Sequence, residues 1–324
     1  MAIKIGINGL GRIGRMIIRS LVENNNKKIV IKHINSRSSA EIVSSLLKYD
    51  SIHGKFNCKI KHGNNYLSLN GKKITFSQCS DLNQIKWNKL NVDYVLECTG
   101  KFNSKEKLIT HIKNGAKKVI VSAPCKNADK TIVYGVNHKS IKKNDNIISA
   151  ASCTTNCLAP VAYVLNEEFK IEKGFMTTIH SYTTDQRLLD NSHKDSRRGR
   201  SAAQSIVPTS TGASKALGEI IPELKGKIEG LAMRVPTPNV SLIDFIFNSK
   251  KKLSVKKINE SFKKASKKEL KNVLEATEEK LVSIDFNHNP NSAIVDLSLT
   301  STIGDNMGKV SAWYDNEWGF ASRM

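Results

Sequence analysis

A chain of 324 residues exceeds one comfortable hydrophobic core and is expected to form two domains. Its 39% hydrophobic and 25% charged residues fit a water-soluble globular protein, and no apolar run approaches the roughly 18 residues that cross a bilayer. The net charge of +22 invites a nucleic-acid role, but the lysines run the whole length without interleaved stacking aromatics, so nucleic acid is not expected as the main partner.

The N-terminus enters a strand directly, without a leader pattern, and the six cysteines contain no Cys-x-x-Cys pair. Reduced thiols in a cytoplasmic protein are expected. The eight histidines show no His-x-x-x-His spacing, so no metal is expected.

Ile3 to Ile7 reads as a buried strand, followed by Gly9-Leu10-Gly11-Arg12-Ile13-Gly14 and then by helical spacing at Met16, Ile17 and Leu21. This is G-x-G-x-x-G in its strand–turn–helix context. The first glycine permits the turn, the second admits a pyrophosphate, and the third lets helix and strand pack closely. A second strand, Ile29 to Ile34, should end at a carboxylate for the ribose 2′-hydroxyl. The residues there are Asn35-Ser36-Arg37-Ser38-Ser39, and the acid is missing. Arg37 offers a guanidinium to a 2′-phosphate, which predicts NADP(H) as preferred or dual NAD(P) use. The other reading leaves Arg37 in solvent and specificity loose. Further strands over Tyr94–Cys98, before Thr99-Gly100, and Val119–Val121, before Ser122, predict a doubly wound parallel sheet of the Rossmann type. Cys98 and Cys125 read as packing residues.

Ile147 to Ala151 is a short apolar strand that gives way at Ser152 to a helix carrying Cys153, Cys157 and Leu158. Ser152 suits the N-cap. Cys153 then sits at a helix N-terminus, where thiol pKa values fall and nucleophilic thiolates are found. The plain alternative is a small buried residue. A strand over Phe175–Ile179 ends at His180, a base for Cys153 if the fold unites them. The polar stretch Ser181–Ser205 is long enough to be functional and carries Arg187, Arg197, Arg198 and Arg200. With Pro208-Thr209-Ser210-Thr211-Gly212 and Arg234-Val235-Pro236-Thr237-Pro238, it predicts an anion site. Between Lys250 and Lys280, Val255, Ile258, Phe262 and Ala265 form one apolar helix face with lysine elsewhere.

Taken together, the sequence resembles the phosphorylating glyceraldehyde-3-phosphate dehydrogenases. The resemblance is carried by Ala-Ser-Cys-Thr-Thr-Asn-Cys at 151–157, Ile-Gly-Ile-Asn-Gly-Leu-Gly-Arg-Ile-Gly-Arg at 5–15 and Arg-Val-Pro-Thr-Pro-Asn-Val-Ser at 234–241. Lys48-Tyr49-Asp50-Ser51 with His53-Gly54, and Trp313-Tyr314-Asp315-Asn316-Glu317-Trp318-Gly319, add to it. It implies a dinucleotide-binding domain over 1–151, an α+β catalytic domain with a mostly antiparallel sheet over 152–316, and a segment over 317–324 returning to the first domain. Cys153 would be the nucleophile and His180 its partner. Ser152, Thr154, Thr211 and Gly212 match positions around inorganic phosphate, with Arg198 nearby. Thr183, Asp185 and Arg234 match the side that holds the phosphate of a small aldehyde. Gly9, Gly11, Arg12, Ile13, Gly14, Ser36, Arg37, Thr99, Ser122 and Asn316 match the cofactor side, and Asn191 and Ser192 a loop that reaches a neighbour's cofactor in a homotetramer.

Some positions depart from the family's pattern. Ser36 replaces an Asp of NAD-type members, and Asn191-Ser192 replaces a Leu-Pro pair; both changes lean toward NADP(H). Ser80 stands where many members carry a basic residue, and the chain stops short of the family's usual C-terminal helix. Erythrose-4-phosphate dehydrogenase is the nearest rival, although Thr183-Thr184-Asp185 favours the three-carbon substrate. A rival of another class is a basic RNA-binding or scaffold protein descended from the enzyme, against which the intact Cys153 and His180 argue.

Overall fold

A computed structural model describes residues 2–324. Contacts divide the chain into two units: the first runs to Ile132 and takes in Lys139–Ala151 and Met324, and the second holds Val133–His138 and Ser152–Arg323. Residues 317–323, which the resemblance assigns to the first domain, group with the second. The reason is local: Asp315 Oδ1 accepts from the Glu317 and Trp318 N–H groups, and the Trp318 ring stacks on His288.

The first unit is built on β1 (Ile3–Asn8), β2 (Ile29–Asn35), β3 (Tyr49–Asp50), β4 (Gly54–Lys55), β5 (Ile60–Gly63), β6 (Tyr66–Leu69), β7 (Lys72–Ser77), β8 (Tyr94–Glu97), β9 (Lys118–Val121), β10 (Lys130–Thr131) and β11 (Ile147–Ser149), with helices α1 (Arg12–Glu23), α2 (Ala40–Lys48) and α3 (Lys105–Lys113). Its large sheet has the order β10-β11-β9-β8-β1-β2-β7-β6-β5, parallel from β10 to β7 and antiparallel beyond. From β1 the chain moves first to β2 and later to β8 on the opposite side, which creates a switch point at the C-terminal end of β1. Ligands of doubly wound sheets bind at such a point, and the glycine loop sits there. The antiparallel hairpin of β5 to β7 is not announced by the sequence, because its strands alternate Lys, His and Ser with only a few apolar positions.

The second unit holds β12 (Ile171–Ser181), β13 (Val207–Ser210), β14 (Ile228–Val235), β15 (Ser241–Ser249), β16 (Leu274–Thr277), β17 (Ala293–Ile303) and β18 (Met307–Tyr314), with α4 (Cys153–Phe169), α5 (Ala213–Ile220), α6 (Val255–Lys267) and α7 (Trp318–Arg323). The sheet order is β13-β14-β12-β15-β18-β17-β16, with parallel pairs only at β12·β14 and β16·β17. Helix α4 packs on the sheet, with the Cys157 thiol donating to the Ala312 carbonyl oxygen of β18, and its Leu158, Val161 and Leu165 are fully buried. The apolar face of α6 holds at Ile258, Phe262 and Ala265, but Val255, in the first turn, is exposed.

Candidate active site

The three glycines of the first loop separate by what a side chain would meet. At Gly9 the backbone is left-handed (φ 95°), and a Cβ would lie 2.7 Å from the Thr99 nitrogen. At Gly14 a Cβ would lie 2.2 Å from the Gly9 carbonyl oxygen, whereas at Gly11 nothing lies within 4 Å. Gly11 is the N-cap of α1 and no side chain caps that helix, so its first N–H groups face the loop. This fits a pyrophosphate. Gly14→Ala is expected to cost about 1–3 kcal/mol of stability by overpacking. Gly11→Ala should leave the melting temperature of the free protein unchanged and lose most of the stabilisation that added dinucleotide gives. Thermal scans with and without cofactor separate the two.

Gly9, Gly11, Ser36, Arg37, Ser80, Thr99 and Phe102 line one pocket. Ser36 is buried and its hydroxyl accepts from the Ser38 N–H, while the Arg37 side chain is exposed on the pocket wall. The Arg12 guanidinium is committed elsewhere, forked onto Asp50 at 2.5 and 3.0 Å, which leaves its backbone as its contribution to the loop. Sequence reading missed Glu97, buried at the end of β8. It accepts from Asn8 Nδ2, from the Thr99 N–H and from the Thr99 hydroxyl, and pairs with His111 at 3.0 Å, so it fixes the turn that carries Thr99. Ser122 donates its N–H to the Glu97 carbonyl oxygen. Burial pushes the Cys98 thiol up to about 12 and the Cys125 thiol to about 11, as suits packing residues.

Ala151, which ends the first unit, precedes the N-cap in a left-handed conformation (φ 59°), and Ser152, which resumes the second, caps α4 by accepting from the Thr155 N–H. Cys153 is thereby the first helical residue, half-buried, with Sγ 3.4 Å from His180 Nε2. His180 lies near the end of β12 and is 4% exposed. Burial and then the charge of Arg234 push its pKa down to about 3, so the ring is neutral. Burial also pushes the Cys153 thiol up, against the Arg234 charge and hydrogen bonds from the Thr154 N–H and hydroxyl. The lowered thiol expected from the helix N-terminus is thus reversed in net direction, because the surroundings desolvate the sulfur.

Arg234 comes to His180 through the parallel register of β12 and β14, in which the two residues are direct partners. Tyr314, like Glu97 given no role from sequence, joins the Thr154 and Thr178 hydroxyls at 2.9 and 2.8 Å and presents its ring edge-on to His180. The Thr154 hydroxyl is therefore already engaged within the protein. Asn316 accepts at Oδ1 from the Ser181 and Ser241 hydroxyls, which turns its amide nitrogen the other way.

Of the residues matched to phosphate, Arg198 donates to Asp185 at 2.7 Å and to the Thr209 hydroxyl at 2.9 Å. Burial of Asp185 is outweighed by Arg198, which holds the carboxyl below the usual range. Thr183 accepts the Gln186 N–H through its carbonyl. The Thr211 hydroxyl accepts from Ala213 N–H, and Gly212 caps α5 with open space where a Cβ would be. Ser192 lies in an exposed loop, its carbonyl accepting from Arg187. Among the described residues no group of three or more His, Cys, Asp or Glu is placed to hold a metal ion.

Comparison with known proteins matches both halves. Residues 3–105 match the family model described as glyceraldehyde 3-phosphate dehydrogenase, NAD binding domain, and residues 152–316 match the one described as glyceraldehyde 3-phosphate dehydrogenase, C-terminal domain. The chain is 50% identical over 325 residues to "Glyceraldehyde-3-phosphate dehydrogenase 2" of Bacillus subtilis, covering all of this chain and 95% of that protein. It is 49% identical to the glyceraldehyde-3-phosphate dehydrogenase of Geobacillus stearothermophilus, and 47% to that of Cereibacter sphaeroides, covering all of this chain and 96% and 97% of theirs. With a family model on each half, and with relatives that align from end to end, the chain belongs to the glyceraldehyde-3-phosphate dehydrogenase family.

Proposed function

We infer that this protein catalyses the reversible oxidative phosphorylation of D-glyceraldehyde 3-phosphate to 1,3-bisphosphoglycerate with a nicotinamide cofactor. The observation that carries the reading is the thiol of Cys153 at the head of α4, 3.4 Å from a neutral His180. The Cys153 sulfur attacks the aldehyde carbon to form a hemithioacetal. The Cys153 N–H and the His180 ring face the oxygen that gains charge. His180 takes the hydroxyl proton as hydride leaves the carbon. The bound nicotinamide supplies the hydride acceptor at its C4. Cys153 is left as a thioester, and inorganic phosphate displaces it, releasing the acyl phosphate and the thiol. Thr183 and Arg234 are assigned to the substrate's phosphate; Ser152, Thr211 and Gly212, with Arg198, are assigned to the attacking phosphate. Asn316 is assigned to the nicotinamide carboxamide through its amide nitrogen. Phosphate-dependent reduction of cofactor by glyceraldehyde 3-phosphate tests the reading; faster turnover with erythrose 4-phosphate would refute it.

NADP(H) is proposed as the preferred cofactor. Arg37 lines the pocket with a guanidinium that is exposed, and Ser36 beside it brings no carboxylate. Arg37→Ala is expected to lower the NADP/NAD ratio of kcat/KM by about 10- to 100-fold, the value of one charge-assisted hydrogen bond. An unchanged ratio excludes the assignment. A homotetramer is part of the same proposal, supported by exposed Leu188, Leu189 and Ile206 in and beside the loop of Ser192. Sedimentation showing a monomer at micromolar concentration would contradict it.

A further inference from the structure

The ends of four neighbouring strands, β8, β1, β2 and β7, are tied together by side chains. Asn8 donates through Nδ2 to Glu97 at 2.6 Å and accepts at Oδ1 from Asn35 Nδ2 at 2.8 Å. Asn35 also donates to the Cys79 carbonyl oxygen and accepts the Cys79 N–H, both at 2.9 Å. Its amide thus supplies one more rung just past the end of β7. Cys79 and Thr99 both line the first pocket, and this relay fastens both to one carboxylate.

Glu97 is 1% exposed, and donors converge on it from Asn8, from the Thr99 N–H and hydroxyl, and from His111 on α3. The donor at His111 is fixed from behind. Trp87 Nε1, which can only donate, lies 2.9 Å from His111 Nδ1. Nδ1 is therefore the bare nitrogen of a neutral ring, and the ring's one proton sits on Nε2, 3.0 Å from Glu97. Trp87 and His111 are both fully buried, and neither lines the pocket.

A buried carboxylate holds its orientation while donors meet its lone pairs. Without His111, Oε2 keeps only Asn8, and the carboxylate turns to seek another donor. That turn slackens its hold on Thr99. The Thr99 backbone abuts the glycine loop, since a Cβ on Gly9 would lie 2.7 Å from its nitrogen. Displacement there alters the seat of a pyrophosphate.

We propose that His111, its proton placed by Trp87, is a positioning residue for dinucleotide binding. It lines no part of the pocket and acts through Glu97 on Thr99 and, by way of Asn8 and Asn35, on Cys79. This rests on the reading of that pocket as the dinucleotide site.

The test is calorimetric titration of the full-length protein with NADP, and with NAD in parallel, well below the melting temperature. His111→Leu fills the space without a donor, and His111→Gln places an amide N–H where Nε2–H stands. The Leu variant should bind about tenfold more weakly than wild type, and the Gln variant should return to within about threefold. In steady state the Leu variant should raise KM for the cofactor, with kcat and the aldehyde KM held within about twofold. Unchanged binding by the Leu variant would overturn the role, and so would a Gln variant as weak as the Leu one, because packing and not the proton would then matter. If the Leu variant does not fold, wild-type protein labelled with nitrogen-15 in its tryptophans decides. The Trp87 indole N–H resonance, assigned through its contact with the His111 ring, should shift on saturation with dinucleotide, and an unmoved resonance would overturn the role. Wild-type protein that binds neither dinucleotide sinks the reading of the pocket, whereas binding that the Leu variant leaves intact sinks the role of His111 alone.

Discussion

Cys153→Ser is expected to lower kcat by roughly 10⁴-fold or more and to abolish the covalent intermediate. A serine hydroxyl at this position would keep the helix N-terminus and the His180 contact. It would have to lose a proton far less acidic than that of a thiol, to a ring whose protonation is already opposed by burial and by Arg234. An alkoxide is also a poorer leaving group, so any ester formed would resist phosphate. Mass spectrometry of enzyme quenched after mixing with aldehyde and cofactor should find the acyl adduct on wild-type Cys153 and none on the variant. Turnover within tenfold of wild type would remove Cys153 from its role. Cys157, one helical turn on and fully buried, is not expected to carry any adduct.

The second large effect is at His180. His180→Asn is expected to lower kcat by about 10²- to 10⁴-fold, the usual worth of a positioned acid–base group. Asparagine can still bond to the Ser181 carbonyl or to Arg234, but it cannot accept a proton at pH 7. The thiol itself then decides reactivity, and burial has already pushed it up. A group whose pKa is raised is less ionised at a given pH, so alkylation of Cys153 by iodoacetamide should slow in the variant. It should recover as pH rises toward the thiol's own pKa, which gives an alkylation profile displaced to higher pH. Equal rates at pH 7 and an undisplaced profile would mean that His180 is not the partner of Cys153.

Parts of this site could be read from sequence because they are local. The glycine loop joins a strand to a helix within a few residues, and Gly9 and Gly14 each have a steric reason that holds in the fold, while Gly11 leaves open space. Ser152 caps α4 because an N-cap needs only its own turn. The strand ending at His180 was legible from the apolar run before it. Other parts depend on residues far apart in the chain. Arg234 meets His180 only through strand register, 54 positions away, and Tyr314 reaches Thr154 across 160. Arg12 looks like a free cation in the loop until Asp50 takes it. The sign of the Cys153 shift was misread for the same reason. The helix N-terminus is written locally, whereas desolvation comes from what the second unit packs around the sulfur.

The central claim is that oxidation leaves the acyl group on Cys153 before phosphate removes it. The direct measurement is a rapid-mixing reaction of wild-type enzyme with glyceraldehyde 3-phosphate and NADP, or NAD, with phosphate withheld and then added. The account predicts a burst of about one reduced cofactor per active site, a thioester on Cys153 at the plateau, and steady turnover only once phosphate is present. Steady turnover at full rate without phosphate, or a burst with no adduct on Cys153, would contradict it.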